Sequence, residues 1–107
     1  MAQMYSIYIA LPPAGWFSAT KKLDAFAQAH FPGGWTRLDA TGGWAGVIEP
    51  AVVYQVVLPS GSTAPVLTFA QTARERLNQE SVLIVEQLVS GWLVRKDGLI
   101  GVEEKLP

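Results

Sequence analysis

One apolar segment, residues 51–58, constrains the possible folds of this chain more than any other feature. Its β-branched and aromatic residues predict a strand, with Val52 on one face and Val53 on the other. Residues 81–89 are apolar on both faces in the same way. Such strands require a sheet that is covered on both sides, because soluble proteins rarely leave so large an apolar patch in water.

The other elements follow from apolar periodicity and from the turn residues between segments. The sequence predicts strands at residues 3–10, 35–40, 51–58 and 81–89, one helix from an N-cap at Ser18 to the residue before Pro32, and a second helix from the turn at 59–62 to about Asn78. Residues 91–95 either continue the fourth strand or form a short edge strand. The order β-α-β-β-α-β predicts a ferredoxin-like α+β sandwich, an antiparallel sheet with two helices on one face.

The topology of this fold brings distant segments together. Right-handed crossovers give the strand order 4-1-3-2. That order brings four segments together at one end of the sheet. They are the loop at residues 11–16, the start of the first helix, a glycine-rich loop at 41–46 and the corner at 77–81. We therefore expect a binding site at that end.

Length and composition bound the rest of the interpretation. The 107 residues suit one domain, with a core over about residues 3–95 and a weakly patterned tail at 96–107. Only 16% of residues are charged and half are hydrophobic, whereas about a quarter are charged in typical soluble domains. Because two helices cover one sheet face, we expect the other face to be buried by a second copy or by the tail, and we favour a second copy in a homodimer or higher oligomer.

Several classes of function are disfavoured. The net charge of −1 gives little attraction for a nucleic-acid duplex, and no apolar run has the length of a membrane span. With no signal-like N-terminus, a cytoplasmic location is the expectation. The chain has no cysteine and one histidine, so we expect neither a metal site nor a cofactor.

Aromatic and amide side chains mark the candidate ligand-binding residues. Trp16 and Trp44 lie in glycine-flanked loops, where a large ring either stacks on a planar ligand or closes the end of the core. Gln79, Glu80 and Ser81 offer hydrogen-bonding groups at the 77–81 corner.

Three basic residues complete the predicted site. Lys21 and Lys22 lie in the first turn of the first helix, where free backbone amides favour an anion, and Arg76 can clamp one. The alternative is that all three are ordinary solvated charges. Glu49 and Glu80 could meet at the same end, but the favoured interpretation is one solvated carboxylate and one that caps a backbone amide.

Three short motifs carry a resemblance. They are Phe31-Pro-Gly-Gly-Trp-Thr, then Leu38-Asp-Ala-Thr-Gly-Gly-Trp, and then Gln79-Glu-Ser-Val. Together they resemble a family of short bacterial or phage proteins of unassigned function, over roughly residues 5–89. The resemblance implies a ferredoxin-like fold, which hosts enzymes, regulators and binding modules alike.

Three functions fit these observations. The leading hypothesis is a non-enzymatic homo-oligomer that binds a small ligand, in one form a phage-type sponge that sequesters an anionic, nucleotide-like signalling molecule. The second is a cofactor-free enzyme with His30, Tyr8 or Tyr54 as the acid or base. The third is a protein-interaction or structural domain. A packed, non-catalytic role is the simpler expectation for His30, which lies on the apolar stripe of its helix.

Overall fold

A computed structural model describes residues 2–101. The elements are β1 (Ala2–Ala10), α1 (Trp16–His30), β2 (Thr36–Trp44), β3 (Val47–Pro59), α2 (Thr63–Arg76), β4 (Leu83–Val89), β5 (Trp92–Arg95) and β6 (Gly98–Gly101). The main sheet has the order β2-β3-β1-β4, and each neighbouring pair is antiparallel. The predicted ferredoxin-like α+β fold and its strand order are confirmed.

The core lies between the sheet and the two helices. Tyr5, Ile7 and Ile9 alternate along β1 and are fully or almost fully buried. The ring of Phe69 from α2 packs at 5.2 Å from the ring of Tyr54 and at 5.3 Å from that of Phe31. These rings close the space between the layers, so the helix-facing side of the sheet is well covered.

The start of α1 differs from the prediction. The helix begins at Trp16 after Gly15, whose φ of 82° is left-handed, and the Gly15 carbonyl accepts the first helical hydrogen bond from Ala19 at 3.0 Å. Ser18 therefore lies inside the helix, and its prediction as the N-cap was wrong. Glycine adopts this backbone conformation without steric strain, which allows the chain to turn directly into the helix.

The connection between β2 and β3 is also shorter than predicted. Both strands continue to a two-residue turn at Ala45 and Gly46, whose φ values are 49° and 80°. The prediction of a long loop at residues 41–46 was wrong, because the extended backbone of this segment pairs with residues 47–50. Since pairing of β1 with β3 stops at Ala10 and Ala51, the end of the β2–β3 hairpin projects beyond the central strand.

The end of the described chain forms a second small sheet. Residues 91–95 do not pair with the main sheet; β5 pairs with β6, which lies in the segment predicted as a tail. The rest of that predicted tail, residues 102–107, lies outside the described residues. The molecule measures 47 × 23 × 21 Å, and its radius of gyration of 14.9 Å exceeds the value of about 13 Å expected for a compact domain of this length.

Among residues 2–101, neither helix has the length and apolar character needed to cross a membrane. The face of the main sheet opposite the helices keeps several large apolar side chains in solvent. They include Tyr8, Leu38, Leu83 and Val85, which are between 39% and 60% exposed. We call this surface the open face.

Candidate functional site

A cavity of about 700 Å³ lies at one end of the main sheet. We call it the end cavity. Its lining residues are Tyr8, Ile9, Ala10, Ala40, Thr41, Gly42, Gly43, Trp44, Glu49, Ala51, Val53, Asn78, Gln79, Glu80, Ser81 and Leu83. This volume lies within the range of about 300–1,000 Å³ that is usual for small-molecule sites.

The strand register explains why the cavity belongs to the open face. Tyr8 pairs with Val53 on one side and with Leu83 on the other. Its neighbours Ile7 and Ile9 are buried in the core. Because successive side chains alternate between faces, Tyr8 and its paired residues point away from the helices.

Rings and small residues shape the cavity. The side chains of Tyr8, Trp44 and Leu83 are 44%, 72% and 60% exposed, so apolar surface at the cavity is open to a ligand. Between these side chains, Ala51 of β3 pairs with Ala10 of β1 and with Ala40 of β2. The short alanine side chains of these three neighbouring strands form the floor of the cavity.

The corner after α2 supplies the polar wall. Asn78 adopts a left-handed backbone with φ of 52°, and its backbone N–H donates to the backbone carbonyl of Glu75 at 3.2 Å. The backbone N–H of Gln79 donates to the backbone carbonyl of Arg74 at 2.9 Å. In return, the Arg74 guanidinium donates to the backbone carbonyl of Gln79 at 3.4 Å. These bonds hold the corner in place and bring Gln79, and with it Glu80 and Ser81, to the cavity.

A backbone contact fixes the opposite wall. The amide of Leu11, just after β1, donates to the carbonyl of Pro50 at 2.9 Å. Pro50 precedes Ala51 and follows Glu49, both of which line the cavity. The end of β1 and the projecting hairpin are therefore held together at the rim.

The charge of the lining is acidic. Two carboxylates, Glu49 and Glu80, are among the lining residues, and none of the described lining residues is lysine or arginine. Glu80 is exposed and Glu49 is half-buried. The polar residues of the lining are thus the two glutamates, the amides Asn78 and Gln79, and the hydroxyl-bearing residues Tyr8, Thr41 and Ser81.

The structure brings half of the predicted ligand-binding residues together. Trp44, Gln79, Glu80 and Ser81 all line the end cavity, although 34 positions separate Trp44 from the corner that begins at Asn78. Tyr8 was expected as a candidate acid or base but not as a binding residue. Its alternation with the core residues of β1 was the signal that could have placed it on the open face.

The other predicted residues lie elsewhere. Trp16 packs edge-on against Phe17, with ring centroids 5.8 Å apart, and the Lys21 ammonium sits 4.7 Å from the same Phe17 ring. The Arg76 guanidinium lies 5.4 Å from the Phe26 ring.

Lys22, the remaining predicted residue, is an exposed residue of α1. These four positions fall outside the lining because both helices occupy the face of the sheet opposite the cavity. The end of the sheet predicted to bind a ligand is thus the end that holds the cavity, but four of the eight predicted residues lie on the other face.

A second polar cluster joins α1 to the sheet on the helix side. One oxygen of Asp24 accepts a hydrogen bond from the Tyr54 hydroxyl at 2.6 Å, and the other pairs with the Arg37 guanidinium. Arg37 also donates to Asp39 at 3.0 Å. Burial, followed by the hydrogen bond to Asp24, raises the pKa of Tyr54 well above its ordinary value.

These contacts bear on the residues considered for acid–base chemistry. Tyr54 is fully buried and already donates to Asp24, so it faces no substrate space. His30 is half-buried, with its Nδ1 2.8 Å from the Phe26 carbonyl and its ring 6.1 Å from that of Phe69. Of the three candidates, Tyr8 is the one that lines the end cavity.

Within residues 2–101, no group of three acidic, histidine or cysteine side chains is placed to hold a metal ion.

No protein-family model matches the sequence, and no curated protein matches it. Among solved structures, it is similar to a phage SAM lyase in complex with S-methyl-5'-thioadenosine. The two share 17% sequence identity, the alignment covers 80% of each chain, and the TM-score is 0.53. At this identity, the similarity extends to the α+β fold. The resemblance of the three sequence motifs to short bacterial or phage proteins stays a prediction.

Proposed function

We propose that this protein binds a small, nucleoside-like ligand in the end cavity. The observation that carries the proposal is the placement of two aromatic rings, Tyr8 and Trp44, beside the polar corner at Gln79 in a cavity of about 700 Å³. A nucleoside has the same division into a planar base and a polar sugar. The nucleoside-type ligand of the structural neighbour supports this choice of class.

Trp44 is the residue best suited to contact the base. Its ring is 72% exposed at the mouth of the cavity, so contact with a ligand would remove a large apolar surface from water. Stacking of a base on an aromatic side chain contributes about 1–3 kcal/mol. Gln79 and Ser81 offer both donors and acceptors for the sugar hydroxyls or for the base edge.

The charge of the lining favours a neutral or positively charged ligand. Glu49 and Glu80 would repel a phosphate, whereas Lys21, Lys22 and Arg76, which we expected to meet one, lie outside the cavity. We therefore propose a ligand without phosphate in place of the anionic signalling molecule. A nucleoside thioether or a nucleoside sulfonium fits this description.

Calorimetric titration with S-methyl-5'-thioadenosine tests the proposal. We expect Trp44→Ala to weaken binding by about 5- to 150-fold, which corresponds to the loss of one stacking contact. Trp92→Ala is the matched control, because Trp92 is a similarly exposed tryptophan on β5, outside the cavity lining. Unchanged affinity in Trp44→Ala would count against the proposed site.

A second titration tests the charge argument. Adenosine 5'-monophosphate should bind more weakly than the neutral thioether, and S-adenosylmethionine should bind at least as tightly. Glu80→Gln should reduce the difference in affinity between the neutral and the phosphorylated ligand, since the substitution removes one negative charge that repels the phosphate. A preference for the monophosphate in the wild-type protein would refute the assignment of ligand charge.

A cofactor-free lyase acting on the same ligand class is a second candidate function. The observation that favours it is the presence of Tyr8, Glu49 and Glu80, three groups able to accept or donate a proton, in one apolar cavity. Release of S-methyl-5'-thioadenosine from S-adenosylmethionine breaks one carbon–sulfur bond, and the electron pair stays on sulfur. The departing carbon chain must then lose a proton to a base or be attacked by its own carboxylate.

Chromatography of a reaction with S-adenosylmethionine separates the two functions. A lyase would produce S-methyl-5'-thioadenosine in many turnovers per protein chain, and Glu49→Gln or Glu80→Gln would slow this production if the carboxylate takes part. Binding of the substrate without turnover would leave the non-enzymatic function as the better description.

Self-association remains part of the proposal. The accessible surface of 6854 Å² exceeds by about 1,000 Å² the value of about 5,800 Å² expected for a monomer of 11.6 kDa. A standard interface covers about 800 Å² on each partner. A second copy on the open face would cover Leu38 and Val85, and light scattering coupled to size-exclusion chromatography would detect it. A monomer at tens of micromolar would contradict this.

A further inference from the structure

The floor of the end cavity is built from unusually small residues. Ala10, Ala51 and Ala40 are paired across β1, β3 and β2, and Gly42 follows on the same face of β2, two residues beyond Ala40. All four line the cavity. Strands favour β-branched and aromatic residues and are depleted in glycine and alanine, so this cluster departs from ordinary sheet composition.

The fold does not require glycine at position 42. Its φ is not left-handed, and a Cβ added there would meet the Ala51 Cβ at 3.6 Å and the Glu49 carbonyl at 3.9 Å, which are ordinary contact distances. A glycine inside a strand usually weakens it, and it often marks a place where a ligand or another backbone approaches closely. Within the described chain, no second backbone segment takes the place of that side chain.

Taller side chains surround this floor. Along β1 and β2, Tyr8 stands two residues from Ala10 and Trp44 stands two residues from Gly42, all on the same face. Leu83 pairs with Tyr8, and Glu49 pairs with Gly42. The result is a flat floor bounded by rings, a shape that fits a planar ring system.

We propose that Gly42 is a specificity-determining residue, because the absence of its side chain lets the flat ring of the ligand lie directly on the sheet backbone. This inference rests on the proposed function and adds the position of the ring within the site. Replacement by valine fills the space above the floor. A misfit of a single methylene group in an apolar pocket changes affinity by about 10- to 200-fold, so the valine side chain should weaken ligand binding by at least the lower figure.

Ile48 provides a control on the same hairpin. It pairs with Gly43, the neighbour of Gly42, is 80% exposed, and is not among the lining residues. Gly43 itself lines the cavity and is therefore not used as a control. Ile48→Ala changes a side chain of this hairpin outside the cavity, whereas Gly42→Val changes one inside it.

Titration of the wild type and both variants with S-methyl-5'-thioadenosine, and then with adenine, tests the inference. We expect Gly42→Val to weaken the binding of both probes more than about tenfold, with a melting temperature equal to or above that of the wild type. Ile48→Ala should stay within about threefold of the wild-type affinity. Ala51→Val, which raises the same floor from β3, should reproduce the loss and serves if Gly42→Val does not fold.

Three outcomes would overturn the inference. Wild-type affinity in folded Gly42→Val or Ala51→Val would refute the ring position and leave the proposed function intact. An equal loss in Gly42→Val and Ile48→Ala would show a general effect on the hairpin in place of an effect confined to the cavity. A wild-type protein that binds neither probe would refute the proposed function together with the inference.

Discussion

Substitution of Asp24 by alanine should destabilise the protein through a single buried hydroxyl. Asp24 accepts the hydrogen bond of Tyr54 at 2.6 Å and pairs with Arg37. Tyr54 is fully buried, so its hydroxyl would lose the acceptor of its hydrogen bond, and the remaining neighbour Arg37 can only donate. An unsatisfied buried donor costs about 1–3 kcal/mol.

The ion pair adds less than the hydroxyl. The side chains of Arg37 and Asp24 are 30% and 29% exposed, and partly solvated pairs contribute at most about 1 kcal/mol. The expected loss in the free energy of unfolding is therefore about 1–4 kcal/mol. With an unfolding entropy of about 2.1 cal/mol/K per residue over 107 residues, the melting temperature should fall by about 4–18 °C.

A double-mutant cycle measured by chemical denaturation isolates the cause. In a Tyr54→Phe background there is no hydroxyl to leave unpaired, so Asp24→Ala should cost only about 1 kcal/mol. Equal losses in both backgrounds, or a loss below about 0.5 kcal/mol in the wild-type background, would refute the reasoning.

Three further predictions follow from local geometry. Asparagine tolerates a left-handed backbone such as the φ of 49° at Ala45 better than alanine does. Ala45→Asn should therefore raise the free energy of unfolding, measured by denaturant titration, by about 0.5–1 kcal/mol. A decrease would contradict the assignment of the turn. Burial and Asp24 raise the pKa of Tyr54 in the folded protein above its ordinary value of 10.0. The hydroxyl of Tyr54 therefore stabilises the fold fully below pH 10 and less as the pH rises above it. Between pH 9 and 11, the unfolding free energy of the wild type should fall more than that of Tyr54→Phe. Phe69→Ala should cost about 3–5 kcal/mol by thermal or chemical unfolding, and a loss below about 1 kcal/mol would exclude its central position.

The sequence was sufficient for the topology because the apolar pattern and the connections limit the arrangement strongly. The alternation of Tyr5, Ile7 and Ile9 places β1 against the helices, and the β-α-β-β-α-β order then leads to a central pair of β1 and β3. The end of the sheet that holds the cavity follows from this topology. Trp44 and Gln79 could therefore be expected to meet.

The face of the sheet was harder to obtain from sequence. Lys21 and Lys22 begin their helix at the correct end, but α1 covers the side opposite the cavity. The extended conformation at Gly42 was also hidden, since glycine is compatible with both a loop and a strand. The polar cluster depends on the register that sets Arg37 beside Tyr54, and no local signal in the sequence gives that pairing.

The central position of β1 has a consequence for biosynthesis. This strand leaves the ribosome before the other strands of the sheet, yet one of its partners comes much later: the Gln3 side-chain amide donates to Glu86, 83 positions further along the chain. The β2–β3 hairpin can form from neighbouring residues, but the sheet cannot close around β1 until β4 has been made. Apolar residues such as Ile7 therefore stay exposed until β4 has been made, and during that time capture by a chaperone competes with folding.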